Sequence, residues 1–242
     1  MSLFLRSLLY NLYAITSATL HSLLVLLLFW APARVRVAVC RHYCSNVIAV
    51  ADHLCGIKII VEGRENLPDT PSVLMIKHTS TMETLWQVSE FPQAVWVLKQ
   101  EMLAVPIIGW AIVLANNPIG VNRKKGRSSV KQVISKGSER LADGAWVTVF
   151  PEGTRMPPGE TRRYGVSGAA LARDAKVPIV PIAHNAADFW PRRAFSKHPG
   201  TVRFCIGPPV DATQQEPKQT NLIVQGWIEA KMLEISSGYK AQ

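Results

Sequence analysis

Ser72-Val73-Leu74-Met75-Ile76-Lys77-His78-Thr79-Ser80-Thr81-Met82-Glu83 runs from a short β-type segment into a histidine, a hydroxyl-rich turn and the start of a helix. A histidine at the end of a strand in an α/β sheet stands where ligands gather. Glu83 follows five positions later. On one continuous helix that spacing would turn the two side chains well apart, so they meet only if His78 precedes the helix and Glu83 lies in its first turn. Ser80-Thr81-Met82-Glu83 is also a capping-box pattern, in which the carboxylate reaches back to a free amide at the helix start. Locally, Glu83 is therefore both a candidate partner of His78 and a candidate cap.

Outward from this stretch, short β-rich runs alternate with helical patterns from Gly56 onward, the signature of an α/β domain. Strands are expected at Ile57 to Glu62, Ser72 to Lys77, Ala94 to Lys99, Ile119 to Asn122, Trp146 to Phe150, Ile179 to Ala183 and Val202 to Ile206. Helices are expected from Thr81, over Ser129 to Leu141, over Gly168 to Asp174 and over Asn221 to Ile235, the last capped by Thr220. A mixed sheet flanked by helices follows.

Ahead of this domain, no charged residue occurs from Ser7 to Ala33, and leucine dominates the run. Such a run exceeds the roughly 20 apolar residues that cross a bilayer core. It is also too long for a cleaved signal, and Pro32 sits in the only cleavage-like site. Val35 to Cys55 repeats apolar residues at helical spacing among Arg36, Arg41, His42 and Asp52, which reads as a second, amphipathic helix. The two helices form a membrane-anchoring hairpin over residues 1–55, with the remaining domain at 56–242. Spanning the bilayer and lying in one leaflet are both open to such a hairpin. Arg34, Arg36 and Arg41 follow the apolar run and Arg6 alone precedes it, which places the domain on the cytoplasmic face.

The chain carries 27 Lys plus Arg against 17 Asp plus Glu, a balance that favours anionic partners. Nucleic-acid binding would call for basic residues interleaved with exposed aromatics on a soluble domain, and the apolar N-terminus argues against it. Cys40, Cys44, Cys55 and Cys205 lack the paired spacing of a zinc site and read as small apolar residues, reduced in a cytoplasmic setting. No metal is expected. His42 and His53 receive no role, and His184 at a strand end receives a structural one.

A second informative stretch is Phe150-Pro151-Glu152-Gly153-Thr154-Arg155, where a buried strand meets a turn whose glycine permits close backbone approach. Arg155 there offers a planar fork of donors suited to phosphate. Together the blocks resemble the glycerolipid acyltransferase family, to which 1-acylglycerol-3-phosphate acyltransferases belong. His78 and Glu83 match its histidine, four residues and acid, and Glu152 to Arg155 matches its Glu-Gly-Thr-Arg signature. Ile119-Gly120-Val121-Asn122-Arg123 and Val177-Pro178-Ile179-Val180-Pro181-Ile182 resemble its remaining two blocks, all four in order over residues 71–182.

This resemblance implies transfer of a fatty acyl group from acyl-coenzyme A or acyl carrier protein, as cosubstrate, to the sn-2 hydroxyl of 1-acylglycerol-3-phosphate, giving phosphatidate. It makes His78 the general base and Glu83 its orienting acid. From the chemistry of phosphate recognition, Arg155 with Arg123 and Lys99 are candidates to hold the acceptor phosphate, in an acceptor-binding set that also takes in Glu152, Gly153 and Thr154, and backbone amides near Gly153 are candidate oxyanion donors. The partners it implies are a lysophospholipid acceptor, an acyl thioester and membrane lipid. Two departures stand out: Glu83 replaces the family's usual Asp, and Tyr164-Gly165-Val166-Ser167-Gly168 lacks the lysine that usually opens the next helix. Either Arg162 and Arg163, just upstream, supply that charge, or the acceptor is another lysolipid. A non-catalytic lipid-binding homologue is the alternative from a different class.

Overall fold

The computed structural model describes residues 1–91, 93–122 and 126–239. Helix α1 (Leu3–Leu27) begins at Ser2, whose side chain accepts the Leu5 amide, and α2 (Ala33–Cys55) returns along it. The uncharged run is thus not one straight rod. It breaks after Leu27 into a turn that exposes Phe29 and Trp30. Helix α2 ends on Gly56, whose φ of 71° is the left-handed conformation that closes helices.

The rest of the chain runs β1 (Ile57–Glu62), β2 (Val73–Ile76), α3 (Met82–Glu90), β3 (Ala94–Lys99), α4 (Gln100–Leu103), α5 (Ile108–Asn116) and β4 (Ile119–Val121). Then come α6 (Arg127–Ala142), β5 (Trp146–Val149), α7 (Ser167–Ala175), β6 (Ile179–His184), α8 (Ala186–Phe189), β7 (Gly200–Ile206) and α9 (Pro217–Ile235). The expected strands all form, each within two residues of its expected bounds. Helix α9 starts earlier than expected: Pro217 occupies its first turn after Glu216, and Thr220 is buried inside the helix instead of capping it. Proline has no amide to lose there, and its ring fixes a helical φ. Helix α5 was not foreseen because Ile108 to Asn116 is apolar nearly all round and shows no periodic polar face.

The seven strands lie in the order β1-β7-β6-β2-β5-β3-β4. Strands β6, β2, β5, β3 and β4 are mutually parallel, and β7 with β1 runs the other way, joined to β6 by an antiparallel ladder. The sheet is mixed, and five of its strands end at one edge.

Helices cover both faces. On one, Tyr10, Val47, Ala51 and Cys55 of the hairpin join Ile57, Trp86, Ile182 and Phe204 in a single apolar core. On the other, Val133, Leu171, Val224 and Ile228 of α6, α7 and α9 pack against Val73, Val147 and Ile179. Tyr10 is fully buried and meets Trp190 edge-on at 5.3 Å, and burial of a side chain of this size stabilises by about 1.5–3 kcal/mol. The buried Lys197 donates to Asn11 Oδ1 at 2.7 Å, and its backbone amide donates to Ser7 Oγ at 3.0 Å. The hairpin and the sheet therefore share one interior. Further along α1, Val25 packs with Ala111 and Ala115 of α5.

Candidate active site

Because β6, β2, β5 and β3 are parallel neighbours, His184, His78, Glu152 and Lys99 emerge in that order along one edge of the sheet. Adjacent strands lie about 4.8 Å apart, so the β2 and β3 ends are separated by about 10 Å. Asn122 follows β4 on the same edge, and Arg123 lies outside the described residues.

The segment after β2 brings His78 and Glu83 together. Glu83 lies in the first turn of α3, and its Oε1 is 2.8 Å from His78 Nδ1. The same carboxylate accepts the backbone N–H groups of Thr79 at 3.1 Å and Ser80 at 3.0 Å. Both roles read from the sequence are thus realised in one side chain. Ser80 Oγ accepts from the Met82 amide and donates to Trp190 O at 2.6 Å, which pins the turn to the loop after α8. Burial alone would raise the Glu83 pKa. The His78 hydrogen bond and the electrostatic influence of His184, His78 and Arg155 outweigh it, and the group sits below its ordinary value. The His78 ring is held from a second direction by Phe150, stacked at 4.1 Å.

His184 lies behind Glu83, fully buried, with Nε2 at 3.8 Å from Glu83 Oε2. Its Nε2–H donates to Lys77 O at 2.7 Å and its Nδ1 accepts the Ala186 amide at 3.3 Å, an arrangement that suits the neutral ring. Burial accordingly lowers its pKa. The structural role expected for His184 agrees with this placement.

Sequence reading passed over Lys77, which the structure seals completely. Its Nζ donates to Glu229 Oε1 at 2.9 Å, Tyr239 OH at 2.8 Å and Thr161 Oγ1 at 3.2 Å, and lies 3.3 Å from Glu152 Oε1. Burial would lower the Lys77 pKa, but the two carboxylates and the Tyr239 hydroxyl raise it, so the ammonium stays charged. Glu152 Oε1 also accepts the His78 amide at 3.3 Å. Desolvation pushes the Glu152 carboxyl up to about 7 despite Lys77. No local pattern announces this network, since Glu229 and Tyr239 come from the far end of the chain.

The turn after β5 places the remaining signature residues. Gly153 has φ of 68°, and its amide donates to Phe150 O at 2.9 Å. That amide is engaged within the turn. Thr154 is exposed. Arg155 Nη2 donates to Thr84 Oγ1 at 3.3 Å, Arg192 donates to the Arg155 carbonyl, and the Met156 amide donates to His78 O at 2.7 Å. Lys99 is half exposed and lies 3.7 Å from Glu101. Beside this turn opens a cavity of about 230 Å³ whose lining includes Phe150, Glu152, Arg162, Arg163 and Gly165. The arginines expected to replace the family lysine thus share a cavity with the position that lacks it. Among the described residues no cluster of His, Cys, Asp and Glu could hold a metal ion.

A family model described as "Acyltransferase" matches residues 58–185, more than half of the chain and all of the described site up to Asn185. The chain belongs to the acyltransferase family. Among curated relatives, the 1-acyl-sn-glycerol-3-phosphate acyltransferase of Pseudomonas aeruginosa is 40% identical over 207 residues, which cover 84% of this chain and 80% of that protein. The enzyme of the same name from Borreliella burgdorferi is 26% identical over 76% of each chain. Mouse 1-acyl-sn-glycerol-3-phosphate acyltransferase alpha is 31% identical over 69% of this chain and 60% of its own. The fold is that of the crystal structure of the 1-acyl-sn-glycerophosphate acyltransferase from Thermotoga maritima, with a TM-score of 0.77, 21% identity, and coverage of 95% and 94% of the two chains.

Within the acyltransferase fold of this chain, the sequence motifs converge as strand ends should. His78, Glu83, Glu152 and Arg155 form one cluster, and Lys99 stands two strands away.

Proposed function

We propose that this protein is a 1-acyl-sn-glycerol-3-phosphate acyltransferase that works at a membrane surface, with His78 as general base. The observation that carries the reading is the His78–Glu83 contact of 2.8 Å beside the Glu152–Arg155 turn. Glu83 accepts a hydrogen bond from Nδ1–H, which fixes the tautomer and leaves Nε2 to take the proton of the acceptor hydroxyl as its oxygen attacks the thioester carbonyl. Collapse of the tetrahedral intermediate forms the ester C–O bond and breaks the C–S bond. The imidazolium then returns its proton to the departing thiolate. The acceptor hydroxyl occupies the place of a serine nucleophile, and no acyl-enzyme is needed. Arg155 and Lys99, with Arg123, hold the acceptor phosphate through charge-assisted hydrogen bonds that also orient the hydroxyl. The separation of about 10 Å between the β2 and β3 ends lets a glycerol phosphate lie between His78 and Lys99.

The membrane reading rests on α1, the one described helix long and apolar enough to cross a bilayer. The catalytic domain packs along much of its length, from Tyr10 against Trp190 to Val25 against Ala111 and Ala115. That packing favours the one-leaflet arrangement over a span. The exposed Met102, Val105, Ile108, Trp110 and Val113 of the α4–α5 region extend the apolar surface of the hairpin toward Lys99. An acceptor lipid would reach the site from the leaflet, on the cytoplasmic face by the arginine bias.

Purified protein in lipid nanodiscs, supplied with radiolabelled acyl thioesters and a panel of lysolipids, tests the reading. Phosphatidate formed from lysophosphatidate, with a loss of at least about a hundredfold in rate for His78→Ala, is the expected result. Turnover of a different lysolipid alone, or a His78→Ala rate equal to the parent's, overturns it.

A further inference from the structure

The segment between α8 and β7 touches the anchor at one end and the catalytic edge at the other. Toward the anchor, the ring of Trp190 meets Tyr10 edge-on at 5.3 Å, and Lys197 Nζ lies over both rings, 5.0 Å from the centroid of Trp190 and 5.8 Å from that of Tyr10. A cation over an aromatic face is attracted by the ring electrons. Lys197 Nζ also donates to Asn11 Oδ1 at 2.7 Å and to the carbonyls of Ala194 and Phe195 at 3.0 and 2.9 Å, so the segment is tied both to α1 and to itself. Within it Arg193 has a φ of 59°, a left-handed conformation that a side chain keeps only where the surroundings hold it.

The other end of the segment reaches the reacting groups through its backbone. Trp190 O accepts the Ser80 hydroxyl at 2.6 Å, and Pro191 pairs with Ser80 in an isolated antiparallel bridge. The Ser80 amide in turn donates to both carboxylate oxygens of Glu83 at 3.0 Å, and Glu83 holds His78 Nδ1. Contact from Tyr10 to His78 is thus continuous by way of Trp190, Ser80 and Glu83. Tyr10, Trp190, Ser80 and Glu83 are all buried. A packed, hydrogen-bonded series of this kind has little room to relax, so a displacement at one end is felt at the other.

We propose that Trp190 is a positioning residue for acyl transfer, through which the seating of α1 sets the approach of Glu83 to His78. The proposal rests on the transferase reading above and gives the anchor a role beyond holding the enzyme at a membrane. Trp190 touches no reacting atom and acts through Ser80. With α1 seated, the Trp190 carbonyl keeps Ser80 where its amide fixes both oxygens of Glu83, and Glu83 fixes the Nδ1–H tautomer of His78. With α1 displaced, the indole loses the ring against which it packs, the Ser80 turn shifts with the Trp190 carbonyl, and the base loses its orientation. Full turnover is thereby tied to an anchored chain.

The test compares Tyr10→Ala with Tyr10→Phe in lipid nanodiscs, with lysophosphatidate and an acyl-coenzyme A as substrates. The Tyr10 hydroxyl has no hydrogen-bond partner among the described residues, so the ring alone makes the contact and Tyr10→Phe should keep the parent kcat. Tyr10→Ala should lower kcat by at least about tenfold at an unchanged KM for lysophosphatidate, the split expected of a base that is present but misoriented. In a Ser80→Ala background, where the link to Trp190 is already cut, Tyr10→Ala should lower kcat by less than about twofold more. Lys197→Met, which withdraws the cation from the same indole, should show the same split, and it decides the matter if Tyr10→Ala does not fold. Nitrogen NMR spectra of the histidine side chains, with the His78 signals assigned by their loss in His78→Ala, read the tautomer without turnover. The parent should show Nδ1–H at His78, and Tyr10→Ala a mixture of both tautomers. An unchanged kcat and tautomer in the folded variants, a change in KM alone, or effects of Tyr10→Ala and Ser80→Ala that simply multiply overturn the positioning role. A parent that transfers no acyl group while its His78 tautomer still responds to Tyr10→Ala refutes the transferase reading and leaves the coupling standing. One whose tautomer is also indifferent refutes both.

Discussion

Lys77 Nζ lies 3.3 Å from Glu152 Oε1, with both side chains sealed from solvent, and that oxygen also accepts the backbone N–H of His78. The cation preceding the base in sequence therefore fixes the carboxylate that steadies the base's own backbone. Glu229 and Tyr239 complete the shell, so the last turns of the chain reach the catalytic edge.

Removing one member of such a buried group leaves charge without compensation. Lys77→Met strands Glu152 and Glu229 together and should lower stability by about 3–5 kcal/mol, read by chemical denaturation. Tyr239→Phe removes one hydroxyl, which accepts from Lys77 and donates to Glu229, from a shell that retains other partners, and should cost about 1 kcal/mol. Equal losses from the two would contradict the network.

Glu83→Gln separates orientation from capping. The amide oxygen can still accept from Thr79 and Ser80, but an NH2 group facing His78 Nδ1 imposes the wrong tautomer. The rate should fall about ten- to a hundredfold, less than in His78→Ala, with a melting temperature reduced by the equivalent of about 1–3 kcal/mol. Glu83→Asp retains a carboxylate and should recover part of the rate. A variant that loses stability but no activity would reduce Glu83 to a cap.

His184 makes stability depend on pH in a defined window. Its native pKa is lowered by burial from the ordinary 6.5, so below that value the unfolded chain takes up a proton that the folded ring refuses. Stability then falls with falling pH, starting near 6.5 and levelling off below the lowered native value. His184→Gln should flatten that slope while costing about 1–3 kcal/mol at neutral pH through its lost bond to Lys77 O. Denaturation curves from pH 5 to 8 (roughly the range over which histidine charge changes) decide the matter.

The exposed face of α5 predicts a membrane contact beyond the hairpin. Paired Ile108→Lys and Trp110→Lys substitutions should weaken flotation with anionic phospholipid vesicles by at least about tenfold, since each removed side chain forfeits about 1.5–3 kcal/mol of apolar burial. Quenching of tryptophan fluorescence by brominated lipid should weaken in parallel. Undiminished flotation would leave the hairpin as the sole contact.

Much of this was legible in the sequence because its signals are local. Ile57 to Glu62 and Ala94 to Lys99 were read at their true bounds, since β-rich runs flanked by turn residues carry their own punctuation. His78 and Glu83 were legible because five residues of chain decide whether they meet. Helix α5 was not, for an evenly apolar segment hides its period. Nor was the Lys77 shell: Glu229 is a long way down the chain, and only the parallel ladders of β2 with β5 and β6 bring α9 beneath it. Glu152 was singled out for its motif, but the burial of its Oε2 without a hydrogen-bond partner among the described residues is a property of packing that no motif encodes.

The interior shared by Tyr10, Val47 and Trp86 has a consequence for how this chain can be dissected. Clipping it near Gly56 would not liberate a water-soluble catalyst, because the cut strips the cover from half the sheet and exposes the back of the strand that carries His78. A chimera that imports hairpin helices from another source must also bring the residues they rest on, Trp190 and Lys197 among them, or the imported pair will have nowhere to seat.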